Sequence, residues 1–220
     1  MDPEVICEYS LSMEDVQSII SSSPYPVANF ERYVQVWRGV FGWLDENQAQ
    51  WLFNAAKSTN LSGHVVEIGT AFGRSTIALG LGTKVSGFGK VYGVDPHTGD
   101  IEIKRRMDGV EVKYSSLEGF KRNITRFELE NWIEPIVDKS EDAVKKWDGK
   151  GIRLLFVDGW HTHEAVLHDI REWGKFVLPG GTIAAHDYTK VRDAIHEGME
   201  ALKGKELLHV DDNMVYFRKE

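Results

Sequence analysis

With 220 residues, 42% hydrophobic and 27% charged, the chain suits one ordinary globular domain with a modest extension, large enough to fold without covalent staples. Its single cysteine, Cys7, excludes an intrachain disulfide and a cysteine zinc cluster. Asp and Glu number 34 against 26 Lys and Arg, and the net charge of −8 argues against broad binding to nucleic acid or to an anionic membrane.

The chain opens on Met1-Asp2-Pro3-Glu4, which lacks the basic start and apolar core of a signal peptide. No apolar run reaches the ~18–20 residues of a membrane span, so a cytoplasmic protein is expected. Ser12 and Asp15 read as a capping box ahead of a short helix, and Ser21-Ser22-Ser23-Pro24-Tyr25-Pro26 as a loop. Phe30, Val34, Trp37, Phe41 and Leu44 then recur at steps of four, three, four and three, the spacing of one amphipathic helical stripe. Another helix is predicted from about Asp45 to Ser58, with Trp51, Leu52 and Ala55 on one side, ended by Asn60-Leu61-Ser62-Gly63. Residues 1–60 therefore read as a helical N-terminal extension and residues 61–220 as the main domain.

Beyond residue 63, short β-branched runs alternate with helical patterns. Strands are predicted at His64–Gly69, Lys90–Asp95, Ile133–Asp138, Leu154–Asp158 and Thr182–His186. A helix starts over Ser75–Leu81. A second opens on a capping box from Ser115 to Glu118 and carries Leu117, Phe120, Ile124 and Phe127. A third is capped by Ser140 and runs to Trp147. A fourth carries Val166, Ile170, Trp173 and Val177, and a fifth spans Val191–Leu202. Leu207–Val210 and Met214–Phe217 flank Asp211-Asp212-Asn213, a turn so tight that they can pair only antiparallel. Five successive strand–helix units imply an α/β fold. The expected architecture is a Rossmann-like, doubly wound, mostly parallel seven-stranded sheet with a C-terminal antiparallel hairpin and ligands at the carboxyl ends of its strands.

The most informative stretch is Glu67-Ile68-Gly69-Thr70-Ala71-Phe72-Gly73-Arg74-Ser75: a strand carrying an acid, two glycines four apart, then a helix. The glycines allow a sharp turn and close approach of a ligand. Ala71 stands where a dinucleotide fingerprint needs its second glycine. Three residues, not four, separate the glycines ahead of Arg74, so a P-loop is not matched either. Glu67 would repel a phosphate and attract a cation. Asp95 ends the next strand, where an acid is suited to ribose hydroxyls.

Asp158, His161, His186 and Asp187 fall at the carboxyl ends of adjacent strands and should converge on one cleft. Two carboxylates and an imidazole suit a hard or borderline divalent cation, and His161 suits a general base. Two segments could cover the cleft: His97 to Glu111, with the basic run Lys104-Arg105-Arg106, and the aromatic stripe from Phe30 to Leu44. Trp160 is a candidate platform for an acceptor ring or sugar.

The Glu67-x-Gly69-x-x-x-Gly73 turn, Asp95, Ser140-Glu141, Asp158 and Pro179-Gly180-Gly181 resemble, in that order, the class I S-adenosylmethionine-dependent methyltransferases over residues 60–220. Asp158-Gly159-Trp160-His161 and His186-Asp187-Tyr188 are most similar to the branch holding macrolide-sugar and cephalosporin-type O-methyltransferases. The resemblance implies S-adenosylmethionine as cofactor, with Mg or another divalent cation in metal-dependent members. It implies O-methylation of a small-molecule acceptor such as a sugar or glycosylated metabolite, and no nucleic-acid or membrane partner; a homo-oligomer stays open.

Residue by residue, the resemblance implies that Glu67, Gly69 and Gly73 line the methionine end of the cofactor, with Thr70 and Ser75 in the same turn. Asp95 would hold the ribose hydroxyls, and Ser140 and Glu141 would lie beside the adenine. Asp158 would lie near the sulfonium and also ligate metal, with His186 and Asp187 completing the metal set. His161 would deprotonate the acceptor. His186 departs from the pattern, because metal-dependent relatives carry a carboxylate there and magnesium prefers oxygen. The alternatives are a metal-independent methyltransferase on another acceptor and a non-catalytic S-adenosylmethionine-binding subunit. His161 and Asp187 speak against the latter, since a pure binder has no need of them.

Overall fold

The computed structural model describes residues 11–58, 61–98 and 116–220. Cys7, Asn60, Ser115 and the Lys104-Arg105-Arg106 run lie outside the described residues. Helix α1 (Met13–Ser22) begins as expected: the Asp15 N–H donates to the Ser12 hydroxyl, and the Ser12 N–H donates to the Asp15 carboxylate.

The stripe from Phe30 to Leu44 is not one helix. It breaks into a 3-10 turn (Phe30–Arg32), the short α2 (Val34–Trp37) and irregular chain. Gly39 and Gly42 weaken the helix, and Arg74 takes over its hydrogen bonding. The Arg74 guanidinium donates to the carbonyls of Arg38, Val40 and Leu44, lies 3.9 Å over the Trp37 ring, and its own carbonyl accepts the Trp37 indole N–H. The periodicity records burial instead: Phe30, Val34, Trp37 and Leu44 are all buried. Helix α3 (Glu46–Lys57) starts with a capping box between Asp45 and Gln48.

The sheet comprises β1 (His64–Ile68), β2 (Val91–Val94), β3 (Ile133–Ile136), β4 (Ile152–Val157), β5 (Val177–Ala185), β6 (Leu208–His209) and β7 (Val215–Arg218), in the order β3-β2-β1-β4-β5-β7-β6. The first five in that order are parallel; β7 runs antiparallel to both β5 and β6. Between them come α4 (Arg74–Ser86), α5 (Leu117–Arg126), α6 (Ser140–Ala143), α7 (His163–Gly174) and α8 (Tyr188–Ala201).

Alternate residues of each strand serve opposite cores. Val65, Leu154 and Phe156 pack with α3, α4 and the N-terminal residues Val16, Phe30 and Trp37. Val66, Leu155 and Val157 pack with Val166, Ile170 and Trp173 of α7 and Ala194 and Ile195 of α8. Strand order reverses between β1 and β4, which opens a crevice at their carboxyl ends. No helix among the described residues is long and apolar enough to cross a membrane.

Three local expectations are corrected. Val177 belongs to β5, not to the helix before it, because α7 stops at Gly174. Residues 178–181, including Pro179-Gly180-Gly181, form a bulge inside β5: Ile152 pairs with Val177 but Leu154 with Thr182. Ser140 is the first residue of α6 rather than its cap, since its hydroxyl is used elsewhere.

Candidate active site

The glycine turn leaves β1 at the crevice. Gly69 has φ 86°, and a Cβ there would stand 2.1 Å from the Asp158 carbonyl oxygen. Its lack of a side chain is thus required by the approach of β1 to the end of β4, where the Asp158 N–H donates to the Ile68 carbonyl at 2.9 Å. Gly73, at φ 88°, begins α4 in the left-handed conformation open to glycine.

Asp95 is already engaged. One of its oxygens accepts the N–H groups of Thr70 and Ala71 at 2.9 and 2.8 Å, and the other accepts that of His97 at 2.7 Å. It therefore shapes the turn, leaving about one lone-pair site for a ribose hydroxyl. His97, read from sequence only as the start of a covering segment, is buried. Its Nδ1 lies 2.7 Å from the Ser116 hydroxyl and its Nε2 3.5 Å from that of Thr70. Burial lowers its pKa against the opposing pull of Asp95.

Beneath the turn, Glu67 is fully buried, and neither of its oxygens has a hydrogen-bond partner of normal geometry. Burial pushes its pKa up to about 8. The hydroxyls of Ser75 and Thr76 pull it down, and Asp158 and Asp95 push it further up. Burial thus holds this carboxyl protonated near neutrality, and a cation placed beside it would favour its ionised form.

Asp158 follows β4 directly, and His186-Asp187 follows β5 directly. Val157 and Ala185 pair across these parallel strands, which brings the three residues together. His161 Nε2 lies 3.0 Å from Asp187 Oδ2 and 3.9 Å from Asp158 Oδ1. His186 Nδ1 lies 3.4 Å from each of the same two oxygens. Lys190 Nζ meets Asp187 Oδ1 at 2.7 Å.

The charges follow from these contacts. Hydrogen bonds to Asp158 and Asp187 push the His161 imidazole up to about 9. Burial acts to lower His186, but the same two acids outweigh it and push it up to about 10. Burial acts to raise Asp187, yet His161, His186 and Lys190 hold it well below the usual carboxylate range.

Two facing carboxylates repel, and here the protein's own His161, His186 and Lys190 lie against them. Ligand atoms of Asp158, His161 and Asp187 lie within 4.8 Å of one another, a spacing that one divalent ion can bridge. The sequence set named His186 in the place of His161.

Ser140 and Glu141 sit at the start of α6, with Glu141 exposed. The Ser140 hydroxyl donates to Asp169 Oδ1 at 2.5 Å and accepts the Trp173 indole N–H at 2.9 Å. Asp169 is buried, and burial pushes its pKa up to about 6. The sequence reading missed it; the available signal was an acid beside the apolar Val166, Ile170 and Trp173 stripe. Trp160 is 65% exposed at the mouth. Phe41 stacks edge-on against both Phe72 of the turn and Trp43, so the N-terminal region reaches the crevice.

Residues 66–188 match a family model described as a methyltransferase domain. Over 129 residues the chain is 30% identical to an uncharacterized protein of Acanthamoeba polyphaga mimivirus. That match covers 58% of this chain and 52% of the other, so it spans about half the length of that relative. The fold is similar to that of the O-methyltransferase NovP, with a TM-score of 0.67, 18% identity and 79% of each chain covered. It is also similar to the SAH-bound methyltransferase PaMTH1 of Podospora anserina, with a TM-score of 0.65, 14% identity and 94% of each chain covered.

Proposed function

Since the chain belongs to the methyltransferase-domain family, we propose that it transfers a methyl group from S-adenosylmethionine to an oxygen of a small-molecule acceptor, with a sugar or glycosylated metabolite as the acceptor class. The observation that carries this reading is the fully buried Glu67 carboxyl under the glycine turn, one backbone contact away from the Asp158, His161 and Asp187 cluster. Exposed Trp160 beside Asp158 favours an acceptor with a ring or sugar face.

The cofactor, when bound, supplies an electrophilic methyl group on a positively charged sulfur. Asp158 complements that charge, the sulfonium would draw Glu67 into its ionised form, and Asp95 holds the turn that would seat it. His161 is the base. Its Nε2 is held by Asp187 at 3.0 Å, so Nδ1 is the nitrogen left to take the acceptor's proton. Asp187 fixes the ring and stabilises the imidazolium that forms. Much of the remaining catalysis is alignment, because methyl transfer is an in-line displacement.

A divalent cation is a second reading, favoured by the spacing of Asp158, His161 and Asp187. It would be held by the two acids with His161 or His186 and would polarise the acceptor oxygen. If it uses His161, that residue is no longer free to act as base. The metal-free reading stands first, because both Asp187 oxygens already face protein cations.

Calorimetric titration tests cofactor choice. S-adenosylmethionine is expected to bind, while NAD and ATP give no heat of binding, as the glycine spacing misses both of their fingerprints. Tight NAD binding with no response to S-adenosylmethionine would overturn the proposal.

A further inference from the structure

We propose that the cavity between α3 and the amino-end half of the β4–β5–β7 surface is a binding site for a small carboxylate that carries a single flat ring. The cavity measures about 270 Å³. It lies apart from the acid cluster: Leu154 is on its floor, and Asp158 comes four residues later along the same strand, roughly 13 Å away in extended chain.

The floor is set by strand register. Leu154 pairs with Thr182 and Thr182 with Arg218, so the three share one face of the sheet. Trp51 and Ala55, four apart on α3, face them from above. Tyr216 forms a side wall, its ring 4.6 Å from that of Trp51.

The bulge in β5 leaves this space. Residues 178–181 stand opposite the single Arg153 of β4. A Cβ on Gly180 would meet only Leu61, at 3.8 Å, so the Pro179-Gly180-Gly181 run lengthens the strand without filling the gap.

The cavity is also positively charged. Arg153 lines it and is 5% exposed. Its Nε, Nη1 and Nη2 donate to the carbonyls of Gly63, Ser58 and Phe88 at 3.2, 3.2 and 3.5 Å. Arg218 is exposed, and its Nη1 donates to the Gly180 carbonyl at 3.3 Å. Among the described residues, neither guanidinium has a carboxylate partner. Carbonyls accept hydrogen bonds but leave the charge in place, and burial pushes the Arg153 pKa down with no acid to oppose it. A carboxylate in the cavity supplies the counter-charge, and each guanidinium keeps N–H groups beyond those in use to hold it.

Leu154, Ala55 and the paired rings of Trp51 and Tyr216 offer the apolar surface for a ring. The volume limits its size. It falls below the roughly 300–1,000 Å³ of drug-sized ligand sites, which favours one ring over a nucleotide.

Calorimetric titration of the full chain with benzoate, benzyl alcohol and inorganic phosphate tests the site. Benzoate is expected to bind once, with a Kd on the order of 0.1–1 mM. Benzyl alcohol, which keeps the ring and lacks the charge, should bind at least about tenfold more weakly. Arg218→Gln should weaken benzoate by a similar factor, and an exposed side chain that holds one bulge carbonyl can be lost without unfolding the chain. Arg171→Gln, which removes a like charge from α7 on the far face of the sheet, should bind benzoate as the wild type does. So should His161→Ala, which separates this cavity from the acid cluster.

Ala55→Phe fills the cavity from the helix and should abolish binding; should it fail to fold, Arg218→Gln carries the test. Equal binding of benzyl alcohol and benzoate, unchanged benzoate affinity in Arg218→Gln, or no benzoate heat at millimolar concentration would each overturn the proposal. Phosphate binding in benzoate's place would overturn it too.

Discussion

Replacing His161 with alanine is expected to lower turnover about 10²–10⁴-fold, the usual worth of a general base, while affinity for S-adenosylmethionine barely changes. The second half of that result matters as much as the first. His161 stands in the acid cluster beyond the turn proposed to seat the cofactor, so it should affect the proton and not the methyl donor.

The acids around His161 also predict the pH profile. They hold its pKa up to about 9, and only the unprotonated imidazole can accept a proton. The rate of the metal-free enzyme should therefore climb through neutrality, reach half its limit near pH 9 and level off above it. A His161→Ala variant should lose that climb along with its activity.

Adding and removing divalent cation separates the two chemical readings. Full activity in chelator, with the alkaline climb intact, leaves His161 and Asp187 as the working pair. Loss of activity in chelator, restored by Mg or Mn, would transfer the role to a metal centre. An unchanged rate in both chelator and His161→Ala would place the chemistry elsewhere.

The other large effect concerns stability. Glu67→Gln should stabilise the ligand-free protein at high pH and hardly at all at low pH. The folded-state pKa of Glu67 is about 8, against 4.5 for an ordinary glutamate. Below the lower value both folded and unfolded chains keep the proton, and the group contributes nothing to the balance. Between the two values the unfolded chain releases its proton while the folded chain retains it, so stability falls as pH rises. Above about 8 the deficit is complete, on the order of 3–5 kcal/mol for a group with no solvent to screen it.

Removing the charge should recover much of that, a rise of roughly 5–15 °C in Tm at pH 9 for a chain of this size. S-adenosylmethionine should by contrast bind Glu67→Gln at least about tenfold more weakly, as a charge-assisted contact is lost. Thermal unfolding at pH 5 and pH 9, with and without the cofactor, reads both quantities. An equal Tm shift at the two pH values would rule out a buried ionising Glu67.

The elements and their order were legible because they depend on local pattern. The apolar runs Val65-Val66, Val91-Tyr92 and Leu154-Leu155-Phe156-Val157 have no polar interruption, as strands covered on both faces require. The meeting of Asp158 with His186 and Asp187 was legible too, since strands that follow one another through a crossover commonly lie side by side.

Sharing of hydrogen bonds between distant segments was not legible. Nothing in the Phe30–Leu44 spacing reveals that Arg74 claims three of that segment's carbonyls. Nothing near Asp95 reveals that two N–H groups of the glycine turn, 24 and 25 residues earlier, use its oxygen. Ser140 looked like a cap because serine before a helix usually is one, yet Asp169 and Trp173 outcompete the helix end. Lys190 carries no pattern of its own; its importance comes from the Asp187 oxygen it meets.

The contact of Gly69 with the Asp158 carbonyl reaches beyond local geometry. On the proposed reading, the turn that would seat the methyl donor and the acid that would face the acceptor share a single backbone joint, with no side chain between them to absorb an adjustment. A variant enzyme cannot retune one without shifting the other. On that reading any change of acceptor range would come from the rim, where Trp160 stands exposed and Phe41 packs between Trp43 and Phe72, while the joint stays fixed. A library aimed at new acceptors should be drawn from those rim positions and should leave residues 69, 158 and 159 alone.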